Sequence, residues 1–168
     1  MGKGFSAARA LAAMRAAWPA MPGAIVDLGG DIAAGGTPLD RGPWRIAIAD
    51  PTGQRPALGT VLLDEGAVAT SGRNARRFGP ARSLHHLIDP STGSPASAGP
   101  LAVTVIAPDA AEAEGHATAL AISTLAEARA HLARRPDFAA LYVDPAGDAH
   151  PIGALPLAPA PHQIGEAR

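Results

Sequence analysis

The sequence predicts an α+β fold, a largely antiparallel sheet with packed helices, and three observations lead there. A helical pattern opens the chain, a long succession of short strand patterns follows, and a second helical stretch precedes two closing strand patterns. The links between strand patterns are short and rich in Gly, Pro and Asp, which suits antiparallel neighbours better than long crossovers. The chain has 168 residues, 47% of them hydrophobic, enough for about one domain with its own core.

Gly4 to Trp18 carries Phe5, Ala8, Leu11, Ala12, Arg15 and Trp18 at spacings of three and four, and Pro19 and Pro22 stop it, so an amphipathic helix is expected. Ala24 to Leu28 is an apolar run closed by Gly29-Gly30, a strand entering a tight turn, and Asp31 to Ala34 resumes it. Trp44 to Ala49 alternates as a half-buried strand does. Further strands are expected at Leu58–Asp64, Val68–Thr70, Arg82–Ile88 and Leu101–Ile106, with Ser71-Gly72 and Asp89 to Gly93 as turns between them. Asp109 with Glu112 three residues on has the spacing of a capping box. The stripe Ala113, Ala117, Leu120, Ala121, Thr124 then suits a helix packed close to a sheet. A helix over Glu127–Arg134 and strands at Phe138–Val143 and His150–Ile152 complete a unit over residues 1–155. The Pro- and Ala-rich stretch 156–168 reads as a frayed tail.

Composition removes several classes of function. Fourteen Lys and Arg against fifteen Asp and Glu give a charge of −1, which offers no bulk attraction to nucleic acid or to an anionic membrane. Aromatics at 4% provide no stacking platform for bases. Without cysteine there is no disulfide, thiolate catalysis or metal–sulfur site. No apolar run reaches membrane-spanning length, and the segment from Met1 to Trp18 lacks the pattern of a signal peptide, so a cytoplasmic location is expected of the chain as written.

Four groups of residues could carry chemistry. Paired glycines after a strand, Gly29-Gly30, allow close approach to a ligand or simply make a hairpin turn. Thr70-Ser71-Gly72 offers two hydroxyls beside a free backbone turn, or an ordinary turn. In Leu84-His85-His86-Leu87-Ile88-Asp89-Pro90 the two histidines face opposite sides of a strand. One of them, with Asp89, could orient a substrate or move a proton; the alternative is a pair of surface residues. Glu114 and Thr118 stand four apart on one helix face. They form either a hard-oxygen half-site for Mg²⁺ or a solvated Glu beside a Thr bonded back to its own helix.

Several strings occur in one order: Lys3-Gly4-Phe5, then Val26 to Ile32 (VDLGGDI), then Pro43 to Ile48 (PWRIAI). Ala69-Thr70-Ser71-Gly72, His86 to Pro95 (HLIDPSTGSP) and Val103 to Pro108 (VTVIAP) follow, and then Glu114 and Thr118. That succession resembles the ApbE family, the FAD:protein FMN transferases, from Lys3 to about Gly153. The resemblance implies an ApbE-like, T-fold-related catalytic lobe that lacks the family's N-terminal half. It implies a Mg²⁺-dependent enzyme that cleaves FAD, transfers FMN to a threonine hydroxyl of a target flavoprotein subunit and releases AMP. On the same resemblance Lys3 and Ile88 contact FAD, Glu114 and Thr118 hold the metal, and His86 is the catalytic histidine.

The sequence departs from the family pattern at Ala8, where Asp is usual, at Asn74, where Tyr is usual, and at Glu114, where the metal ligand is Asp. On the resemblance, family members are often exported or membrane-anchored through an N-terminal part, which is expected to be missing from the chain as written. Two other outcomes stay open at this point. One is a truncated or degenerate, inactive flavin-binding or partner protein. The other is an FAD pyrophosphatase without a protein acceptor. Loss of half of a two-lobed structure would expose apolar surface, so a homodimer or poor solubility is expected.

Overall fold

The computed structural model describes residues 2–40, 42–74 and 76–158. In chain order the elements are α1 (Lys3–Ala17), β1 (Gly23–Asp27), β2 (Asp31–Gly36), β3 (Trp44–Ile48), β4 (Gly59–Leu63) and β5 (Gly66–Gly72). Then come β6 (Arg77–Phe78), a 3₁₀ turn (Pro80–Arg82), β7 (Leu84–His85), β8 (Ile88–Asp89), β9 (Ser94–Pro95) and β10 (Ala102–Ala107). The rest is α2 (Ala110–Leu120), α3 (Leu125–Leu132), β11 (Ala139–Val143), β12 (Ala149–Ile152) and β13 (Leu157–Ala158).

A six-stranded antiparallel sheet in the order β1-β2-β5-β10-β11-β12 is the centre of the molecule. Strand alternation divides its residues between two cores. Ala33, Ala67, Ala69, Val103, Val105, Ala140 and Tyr142 face the helices, where Ala7 and Leu11 of α1 and Ala110, Ala113, Ala117 and Leu120 of α2 meet them. Ile32, Ala34, Val68, Ile106, Ala139 and Leu141 face the other way, onto Ile46, Ile48, Val61 and Leu63 of a small β13-β4-β3 sheet. The α+β expectation holds, as helices, a large sheet and a small sheet in three layers.

Alanine dominates the helix-facing layer, so the helices sit close to the strands and to each other. At Gly4 of α1 a Cβ would collide with the backbone carbonyl of Ala110 and lie 3.0 Å from the Glu114 Cβ. That contact brings the start of α1 beside the first turn of α2.

Three expectations need correction. Arg82–Ile88 is not one strand: Leu84–His85 pairs with Arg77–Phe78 and Ile88–Asp89 with Ser94–Pro95, so the ladder breaks between partners, after a turn that begins at Pro80. Ser71-Gly72 is not a turn but the end of β5, paired to β10. The complete capping box lies at Thr124 and Glu127 and opens α3. Asp109 caps α2 alone, accepting the N–H groups of Ala111 and Glu112.

The chain stays paired beyond residue 155, since Leu157 and Ala158 lie against Val61 and Thr60; the rest of the expected tail lies outside the described residues. Among the described residues no helix is long and apolar enough to cross a membrane.

Candidate active site

A cleft of about 620 Å³ opens where the start of α1, the β1–β2 turn, the end of β5, α2 and the loop carrying His86 converge. Lys3, His86, Ile88, Glu114 and Thr118 all line it, although they are as far apart in sequence as residues 3 and 118. Each is placed by a local feature of the chain.

Lys3 opens α1, and its ammonium reaches the β1–β2 turn. Nζ is 2.6 Å from Asp31 Oδ2 and donates to the Gly29 carbonyl at 3.1 Å. The turn has the glycines its geometry requires, with φ of +71° at Gly29 and +91° at Gly30, and Asp27 Oδ1 accepts the Gly30 N–H at 2.8 Å. Gly29-Gly30 is thus a hairpin turn, and Gly29 also lines the cleft. Asp31 is buried while Lys3 is about half exposed, so one face of the ammonium is left to the cleft.

Glu114 projects from α2 to the start of α1. Its carboxylate accepts the backbone N–H of Gly2 at 2.9 and 3.1 Å and that of Gly4 at 3.0 Å. These are first-turn donors that have no partner within the helix, and a carboxylate at a helix N-terminus also complements the helix dipole. The length of the Glu side chain spans this reach. Thr118 Oγ1, one turn on, donates to the Glu114 carbonyl at 2.9 Å, the back-bonding anticipated above, and lies 3.5 Å from Ser71 Oγ.

With its proton given to the helix, the Thr118 hydroxyl keeps acceptor lone pairs for the cleft. The Glu114–Thr118 donor set is therefore all hard oxygen, of the kind Mg²⁺ accepts together with phosphate oxygens and water. Among the described residues no three His, Asp or Glu side chains gather as a metal centre. Glu114 and Thr118 are the oxygen donors on this wall that could hold a cation.

The two histidines separate, although not by strand alternation, since His85 ends β7 and His86 lies in the bend before β8. His85 is buried, and its Nε2 donates to the Ala96 carbonyl at 3.1 Å while Nδ1 has no partner. His86 is exposed and lines the cleft. Ala96 is held twice, since its N–H donates to the Leu87 carbonyl at 2.9 Å. His85 thereby fastens the segment that carries His86 and Ile88. Asp89 does not pair with His86. Its carboxylate accepts the hydroxyl of Ser91 at 2.7 Å and the Ser91 N–H at 2.8 Å, and these bonds lower its pKa below the usual carboxylate value.

Thr70 turns to Thr104, with the two hydroxyl oxygens 2.8 Å apart, and Ser71 is the hydroxyl nearer α2. Two charged cleft residues were not singled out from sequence. Asp31 could have been found as an acid inside an apolar strand pattern; Arg76, in an irregular loop, gave no such signal.

The chain is similar in sequence and in fold to known proteins of one family. The model of the ApbE family matches residues 1–142. The FAD:protein FMN transferase of Treponema pallidum is 35% identical over 156 residues, covering 86% of this chain and 42% of that protein. That of Escherichia coli K12 is 35% identical over 127 residues, covering 74% of the chain and 36% of the protein. Among solved structures, the ApbE protein of Thermotoga maritima superposes with a TM-score of 0.79 at 31% identity, over 89% of this chain and 48% of that one. The flavin transferase ApbE of Vibrio cholerae gives 0.73 at 28%, with the same coverage. The chain spans less than half the length of these relatives. By the family match over most of its residues, and by a fold shared with solved members, the chain belongs to the ApbE family.

Proposed function

We propose that this chain carries the catalytic lobe of an FAD:protein FMN transferase, over residues 1–155. The reaction is Mg²⁺-dependent transfer of FMN from FAD to a threonine hydroxyl of a target flavoprotein subunit, with release of AMP. One observation carries the reading: Lys3, His86, Ile88, Glu114 and Thr118, which the family resemblance assigns to the site, line a single cleft.

In this reading the threonine oxygen bonds to the FMN-side phosphorus of FAD and the bond from that phosphorus to the AMP oxygen breaks. His86, exposed in the cleft, accepts the threonine proton, and an imidazole is well suited to that transfer. Lys3, held by Asp31 and the Gly29 carbonyl, presents a fixed positive charge to the diphosphate. Ile88, on the neighbouring segment, supplies apolar contact and backbone to the flavin nucleotide. Glu114 and Thr118 would hold Mg²⁺, which when bound offsets charge on the phosphoryl oxygens.

The test is incubation of the purified chain with FAD, Mg²⁺ and a threonine-bearing flavoprotein subunit, followed by mass spectrometry of the subunit. A mass gain of one FMN that is lost in His86→Ala supports the transferase. FMN and AMP formed without acceptor modification would make the protein an FAD pyrophosphatase. No conversion, with flavin still bound, would leave a binding protein without catalysis.

A further inference from the structure

Charges in the cleft are largely paired within the protein. Lys3 is matched by buried Asp31, and the Glu114 carboxylate accepts N–H groups at the start of α1. Arg76 differs. It is exposed, it borders both the main cleft and the smaller recess beside Gly2, Ser6 and Leu28, and it makes no hydrogen bond or ion pair among the described residues. The sequence around it accentuates this, because residues 66–88 contain four arginines and no Asp or Glu. A guanidinium with no internal partner, at the rim of a cleft whose other cation is already paired, adds net positive charge and a planar two-pronged donor.

We propose that Arg76 is the residue by which this cleft selects a phosphorylated ligand, binding a phosphoryl group where the cleft adjoins the recess beside Gly2. The assignment rests on the flavin-nucleotide reading above and adds to it the origin of discrimination between a nucleotide and its unphosphorylated parent. The neighbouring Arg77 borders neither the cleft nor the recess, so it contributes charge to the region without contact.

Equilibrium binding of FAD, FMN, riboflavin and ADP to the full chain, and to its Arg76→Gln and Arg77→Gln variants, tests this. Arg76→Gln is expected to weaken FAD and FMN by about tenfold or more, with riboflavin unchanged and Arg77→Gln close to wild type. Equal FAD affinity in Arg76→Gln and wild type overturns the proposal, as does an equal loss in Arg77→Gln, which would mean a bulk charge effect. No flavin binding, but ADP binding that depends on Arg76, would overturn the flavin reading and leave the phosphate assignment standing. No binding of any phosphorylated ligand would overturn both.

Discussion

Lys3 Nζ lies 2.6 Å from Asp31 Oδ2, in a pair whose carboxylate is buried and whose ammonium is about half exposed. The asymmetry determines what each half of the pair does. Asp31 can be accommodated inside β2 only because a cation meets it, whereas Lys3 retains an open face toward the cleft. Lys3→Met should destabilise the fold by about 1–2 kcal/mol, less than for a fully buried pair because solvent screens the lysine side. Asp31→Asn, which removes the charge in need of a partner, should cost less. Urea unfolding of the two variants checks the order, and a larger loss in Asp31→Asn would show that Asp31 matters for something other than the pair.

Gly4→Ala places a methyl group against the backbone carbonyl of Ala110, which cannot move without moving α2. A loss of about 2 kcal/mol is expected, within the range for overpacked sites, and α1 should shift from α2. Gly2 has open space around its Cβ position, so Gly2→Ala should be close to neutral by comparison. Thermal melts of the two variants side by side make the comparison, and equal melting points would exclude the close approach.

His116 of α2 and His131 of α3 share a hydrogen bond of 2.9 Å between Nδ1 and Nε2, with His116 edge-on to Phe138. Burial first, then His131 and Arg135, push the His116 pKa below its ordinary value, and Glu112 opposes this weakly. A depressed folded-state pKa means that stability is complete above the unfolded pKa of about 6.5 and is lost as pH falls through the folded value. His116→Gln should therefore flatten the fall in stability below neutral pH. Urea midpoints measured from pH 8 down to pH 4 read this directly, and parallel profiles for variant and wild type would exclude it.

Phe5 and Trp18 are 60% and 61% exposed at the two ends of α1, with Met14 and Ile25 also exposed. Self-association through this region is expected, and Phe5→Ser with Trp18→Ser should reduce it while leaving the helical circular dichroism unchanged. Sedimentation velocity over a concentration series is the measurement. A wild-type chain that stays monomeric throughout contradicts the expectation.

The central strands were legible because β-branched and small apolar residues run between Gly, Pro and Asp turns. Their division between two cores was not, since strands such as Ala139–Val143 are buried on both sides and show no polar alternation to mark a face. The histidine pair and the Glu114–Thr118 spacing stood out by residue type, but the choice of His86 over His85 came from the family resemblance. What Glu114 does could not, because its N–H partners are Gly2 and Gly4, more than a hundred residues away. The break between His85 and Ile88 was hidden for a related reason: the two halves look like one strand until their partners, Arg77–Phe78 and Ser94–Pro95, are known. Thr124 was read as the end of one helix when it begins the next, although the Thr-x-x-Glu signature was present.

The Glu114 carboxylate ties the first turn of α1 to α2 and also forms part of the cleft wall. Any ligand that draws on those oxygens competes with the amides of Gly2 and Gly4, so cleft occupancy and order at the start of α1 are one linked equilibrium. Amide exchange in that first turn would then report what the cleft holds, without a label on the ligand and without turnover.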